Sequence, residues 1–125
     1  MSKQIISSSV FFLPLVLVAI LPASHGQSCE TALDSPLAGH LDLIISYMKL
    51  RGFNQCCQKE CNNESCSTLL RMETASLKLC SNPCTGCISC GDIATCLSKM
   101  RASCCARGRV QGTMSCGKFT LGVSP

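Results

Sequence analysis

The residues with the greatest chemical potential in this 125-residue chain are its 13 cysteines: Cys29, Cys56, Cys57, Cys61, Cys66, Cys80, Cys84, Cys87, Cys90, Cys96, Cys104, Cys105 and Cys116. Cys84, Cys87 and Cys90 are each separated by two residues, and Cys80 stands four positions upstream. Kept reduced, thiols at this spacing could ligate zinc or an iron–sulfur cluster. In an oxidising compartment the same sulfurs become half-cystines. Cys96 lies too far along for the usual ferredoxin spacing, and nothing around the CxxC steps resembles the βαβ context of a thioredoxin-type redox site. All 13 are therefore taken as disulfide candidates, with no metal and no cofactor.

Other chemistry finds little support. His40 is the only histidine after residue 26, and its neighbour in sequence, Asp42, is two positions away. Residues two apart on a helix do not share a face, so a His–Asp relay is not expected there. No carboxylate pair suggests glycosidase chemistry, and no glycine-rich phosphate loop appears. The chain is read as a non-enzyme. Asn63-Glu64-Ser65 is a formal glycosylation sequon between Cys61 and Cys66.

The compartment follows from the first 26 residues. Lys3 supplies a positive start, Val10 to Leu21 is an apolar run, and Ser24 and Gly26 are small residues spaced as at a signal-peptidase site. Residues 1–26 are expected to be a cleaved signal peptide, and residues 27–125 a single cysteine-rich mature domain that is secreted and extracellular. Pro14 and Pro22 interrupt the apolar stretch, and no transmembrane segment is expected.

Charge is uneven. Residues 27–92 hold seven acids and five bases, whereas residues 93–125 hold five bases and no acid. Lys99, Arg101, Arg107, Arg109 and Lys118 are the candidate basic binding patch, suited to an acidic partner. With one Tyr, four Phe and no Trp there is little to stack bases, so nucleic acid is not expected as a partner. Thirteen is odd, and a leftover cysteine in an exported chain points to an intermolecular bridge, hence a disulfide-linked homodimer.

Four helices are predicted to position these groups. Ser35 as N-cap, Pro36 and the spacing of Leu33, Leu37, Leu41, Ile44 and Met48 indicate a helix over 36–50, ended by Gly52. A short second helix from Asn54 would place Cys57 and Cys61 on one face. A third is predicted over 65–80 from Cys66, Leu69, Leu70, Leu77 and Cys80, ended by Asn82-Pro83. Asp92 would cap a fourth, with Ile93, Cys96, Leu97, Met100 and Cys104 on its buried face and Gly108 as its stop. The expected fold class is all-α, a small disulfide-rich helical bundle, with residues 81–90 a cross-linked loop and the tail after Gly108 irregular.

The two vicinal pairs, Cys56-Cys57 and Cys104-Cys105, and the run Cys90, Cys96, Cys104-Cys105 resemble the con-ikot-ikot family of large cysteine-rich cone-snail venom proteins. Single Cys61 and Cys66 depart from that family's pattern, which tends to a second vicinal pair. The resemblance implies helical, disulfide-linked subunits that bind an ionotropic glutamate receptor from outside. The leading expectation is thus a secreted venom-type toxin, a non-catalytic neurotoxin that modulates an extracellular receptor or ion channel. The alternatives are a cationic defence or antimicrobial protein, inserting an apolar helix face between Leu37 and Met48, and an endogenous extracellular signalling factor.

Overall fold

A computed structural model describes residues 26–125. The signal-peptide expectation for residues 1–26 thus lies, except for Gly26, outside the described residues. The chain is not an all-α bundle. Among the described residues, seven strands and two helices follow in the order β1 (Gln27–Cys29), α1 (Ala38–Arg51), β2 (Gln55–Cys57), β3 (Cys66–Met72), β4 (Ala75–Cys80), β5 (Cys87–Ser89), α2 (Cys90–Cys104), β6 (Gly112–Cys116) and β7 (Phe119–Ser124).

Five strands form one antiparallel sheet in the order β1-β6-β7-β4-β3, and β2 pairs with β5 in a separate two-stranded ribbon. The sheet obeys a period of two. Ala75, Leu77 and Leu79 of β4, Met114 and Cys116 of β6, and Phe119, Leu121 and Val123 of β7 are buried, while Thr120 and Ser115 face outward. Both helices lie on the buried face. α1 contributes Leu41, Ile44, Ile45 and Met48, and α2 contributes Ile93, Ala94, Leu97 and Met100, so one apolar core fills the space between helix pair and sheet.

The first and fourth predicted helices exist, with shifted starts. α1 begins after Leu37, because Ser35 and Pro36 are buried in the approach to it. The Ser35 hydroxyl accepts from the Ala32 N–H at 2.7 Å and donates to Gln111 Oε1 at 2.8 Å, so it serves the turn before the helix and not its cap. Lys49 and Arg51 in the last turn suit the negative end of the helix dipole, and Gly52, at φ 45°, returns its N–H to Met48 and Lys49. In α2 the cap is Ser89, whose hydroxyl accepts from the Asp92 N–H at 3.0 Å; Asp92 occupies the first turn. The two helices are antiparallel, since the Gly91 N–H reaches the Gly52 carbonyl at one end and Arg101 reaches Asp42 at the other.

The second and third predicted helices are strands. Residues 55–57 are β2, so Cys57 and Cys61 sit on strand and loop, not on one helical face. Residues 66–80 are the β3–β4 hairpin, turning at Glu73-Thr74 with Glu73 in the left-handed region at φ 52°. The tail is not irregular either: β6 and β7 form a hairpin through Gly117-Lys118, with Gly117 at φ 65° supplying the turn.

Twelve of the thirteen cysteines are closed. Cys56–Cys90, Cys57–Cys87, Cys61–Cys84 and Cys66–Cys80 are nested one inside the next, like rungs joining two antiparallel segments. Cys57 and Cys66 face their partners directly across strand pairs. Cys29–Cys104 ties β1 to the end of α2, and Cys96–Cys116 ties α2 to β6.

Candidate interaction surface

The sulfurs at Cys80, Cys84, Cys87 and Cys90 each run to a different partner on the facing segment, so their regular spacing is the spacing of rungs. The other vicinal pair splits. Cys104 is buried and bonded to Cys29, whereas the next residue, Cys105, is exposed and is the one free cysteine among the described residues. It stands at the C-terminal cap of α2, where the backbone leaves the helix.

Around this end of α2 the turn Ala106–Arg109 meets the segment after β1. Thr31, Ala32, Leu33, Ala106, Arg107 and Arg109 line a cleft of about 300 Å³. Its walls are fixed by polar contacts: the Thr31 hydroxyl donates to the Cys104 carbonyl at 2.7 Å, and Arg109 donates to the Ser35 carbonyl at 2.7 Å. Leu33, one of the residues expected on the buried face of the first helix, is instead 78% exposed at the mouth of this cleft.

The five basic residues proposed as one patch are distributed differently. The Arg101 guanidinium is engaged by Asp42 through two hydrogen bonds, of 2.9 and 3.1 Å. That pairing holds the Asp42 carboxyl below its ordinary range and raises Arg101 further, with a smaller contribution from the neighbouring Cys105. Arg109 is tied to Ser35, leaving Arg107 exposed in the turn and Lys99 exposed on α2. Lys118 lies at the other end of α2, in a cleft with Asp92 and Phe119, roughly the 22 Å length of a 15-residue helix away.

His40 has a structural task. Thr74 Oγ1 accepts from the Leu37 N–H at 2.9 Å and lies 2.7 Å from His40 Nδ1, so its own hydrogen is available to that nitrogen; the Thr74 N–H also points to Nδ1, at 3.3 Å. The histidine pins the β3–β4 turn to the start of α1, and Asp42 is committed to Arg101 rather than to it.

A different surface emerges on α1. Leu43, Tyr47 and Leu50 recur at spacings of four and three on the side of the helix opposite Leu41, Ile44 and Met48, and Phe53, just past the helix end, is exposed as well. They are exposed by 48, 39, 87 and 98% respectively. Cations border this row: the Arg51 guanidinium lies 5.7 Å from the centre of the Tyr47 ring, and Lys49 is exposed beside Leu50. The apolar face between Leu37 and Met48 imagined as membrane-inserting is thus two faces, of which Leu41, Ile44, Ile45 and Met48 belong to the core. The outward row was legible in the sequence as a second set of apolar residues at helical spacing, left over once the buried stripe is assigned.

Asn63, the sequon asparagine, is exposed in the turn before β3. No helix among the described residues is long and apolar enough to cross a membrane. In comparison with known proteins, the chain matches no family model, no curated protein and no solved structure.

Proposed function

We propose that this is a secreted, non-catalytic binding protein of venom type that docks on an extracellular receptor or ion channel through the outward row of α1. The observation that carries the reading is that row: Leu43, Tyr47, Leu50 and Phe53 held in the open by a disulfide-stapled scaffold. Four large apolar side chains left exposed on and just after one helix suit a surface that meets a partner, and a face already rigid loses little conformational entropy on docking. Lys49 and Arg51 favour a target whose apolar groove has an acidic rim. Six disulfides among the described residues support an oxidising, extracellular destination. The helical subunit implied by the con-ikot-ikot resemblance is absent from this fold, so the target is stated as a receptor or channel without narrowing to ionotropic glutamate receptors.

Cys105 completes the reading. As the cysteine left over when six pairs close, exposed and at a helix end, it is the natural bridge of a disulfide-linked homodimer. Intact mass of the secreted protein without reductant is expected to give two chains, halving on reduction, and Cys105→Ser is expected to give one.

The docking face is tested under voltage clamp on cells expressing a panel of ligand-gated and voltage-gated channels. The folded protein is expected to change at least one current saturably, and Leu50→Glu to lower its potency about tenfold or more, the effect of truncating a well-placed anchor. Equal potency of Leu50→Glu, or no effect and no saturable surface binding across the panel, would overturn the assignment.

A further inference from the structure

We propose that Asn63 carries an N-linked glycan that lies over the sheet face turned away from the helices. This rests on the export reading above, and the experiment below separates the two. The turn is built so that Asn62, not Asn63, holds it. Asn62 Oδ1 accepts from the Glu64 and Cys66 N–H groups at 2.8 and 3.0 Å, and the Asn62 N–H and C=O bond Cys66 and Ser65. The Asn63 amide is left exposed, and neither it nor the Ser65 hydroxyl has a hydrogen-bond partner among the described residues.

The flanking cysteines do not shut the sequon into a small ring. Cys61 and Cys66 pair not with each other but with Cys84 and Cys80, which lie 23 and 14 positions further along from their respective partners. A chain entering an export compartment N-terminus first therefore presents Asn63 before the cysteines that lock its turn have followed. In the transfer, Asn63 Nδ2 attacks the anomeric carbon of an oligosaccharide carried on a polyprenyl diphosphate. The N–C bond forms, the C–O bond to the diphosphate breaks, the amide loses one proton, and the polyprenyl diphosphate leaves.

The landing ground is polar. Asn63 opens on a cleft of about 400 Å³ shared with Glu64, Ser81, Asn82, Lys118 and Thr120, whose side chains offer donors and acceptors to sugar hydroxyls. The sequon also sits at the head of β3, an outer strand of the five-stranded sheet whose other edge is β1. Exposed edges invite pairing with other chains, and a bulky solvated group beside β3 blunts that edge.

The test is intact mass of the protein secreted from eukaryotic cells, before and after peptide-N-glycosidase. One glycan is expected on the wild type and none on Asn63→Gln or Ser65→Ala, with all three secreted. Backbone hydrogen exchange in β3 is expected to be slower in the glycosylated protein than after enzymatic removal of the glycan. Secretion at the bare peptide mass would overturn the inference and leave the export reading standing, whereas failure of the wild type to be secreted would remove both. A glycan present with unchanged β3 exchange would overturn its placement over the sheet.

Discussion

Two regions of this molecule are held together in different ways. Between β2 and α2, segments 55–66 and 80–90 lie side by side with four nested disulfides, and few large apolar side chains are buried there: Ile88 is only half-buried, and the buried groups include the polar Gln58. Gln58 spans the gap, donating to the Ser65 and Leu79 carbonyls at 3.1 and 3.0 Å. In the other region α1 and α2 press Leu41, Ile44, Met48, Ile93, Leu97 and Met100 onto Leu77, Leu79, Leu121 and Val123, and only Cys29–Cys104 and Cys96–Cys116 reinforce them. Covalent bonds are dense where hydrophobic burial is thin. A chain with so few aromatics has one good core's worth of apolar surface, and the remainder is stapled.

The two kinds of staple are not equivalent. Closing a long loop removes more freedom from the unfolded chain than closing a short one. Cys29–Cys104 spans 75 residues, whereas each rung of the ladder, once its neighbour is closed, shuts a loop of only a few residues. Replacing Cys29 and Cys104 together by serine is expected to cost about 4 kcal/mol, read as the shift in guanidinium midpoint. Leu97→Ala, in the centre of the helical region, is expected to cost about 3 kcal/mol by removing apolar contact and leaving a cavity.

Replacing Cys57 and Cys87 together is expected to cost about 2 kcal/mol, half the price of the long-range bridge, because Cys56–Cys90 still holds the same strands. If this double variant proves as damaging as loss of Cys29–Cys104, the rungs act independently and the contrast between the regions fails. The smallest effect is at Asp42. Its carboxyl is held below the ordinary range by Arg101, so its contribution is present at neutral pH and lost as pH falls through that lowered value. Both side chains are more than a third exposed, and Asp42→Asn is expected to cost less than about 1 kcal/mol at pH 7 and nothing at low pH, measured by thermal melts across pH.

The helical region was the more legible in sequence. Leu41, Ile44 and Met48, and again Ile93, Leu97 and Met100, announce their buried faces by spacing alone, whereas the helix starts, with Leu33, were misplaced, because Ser35 serves the turn before α1 and Asp92 lies inside the first turn that Ser89 caps. The hairpin over 66–80 read as a helix for a physical reason. A register irregularity between Thr68 and Leu70 breaks the alternation of β3, so that Cys66, Leu69 and Leu70 fall at three-and-four spacing. Its turn residue in the left-handed region is Glu73, not the glycine or asparagine that usually marks such a turn.

The last hairpin was different: Met114, Cys116, Phe119, Leu121 and Val123 alternate on either side of Gly117-Lys118, and the signal was there to be read. Of the site, the spare cysteine was implied by the odd count, but its identity was not, since pairing depends on which strands meet. The basic residues were visible, yet their engagement by Asp42 and Ser35 required the fold.

One feature of α1 has an optical consequence. Tyr47 is the only tyrosine, and the chain has no tryptophan, so near-ultraviolet emission comes almost wholly from a single ring on the outward row beside Arg51. Nothing in the core emits at comparable strength. A change in that emission on adding a partner, a vesicle or a second chain would therefore report occupation of this surface directly, without a label and without background from the rest of the molecule.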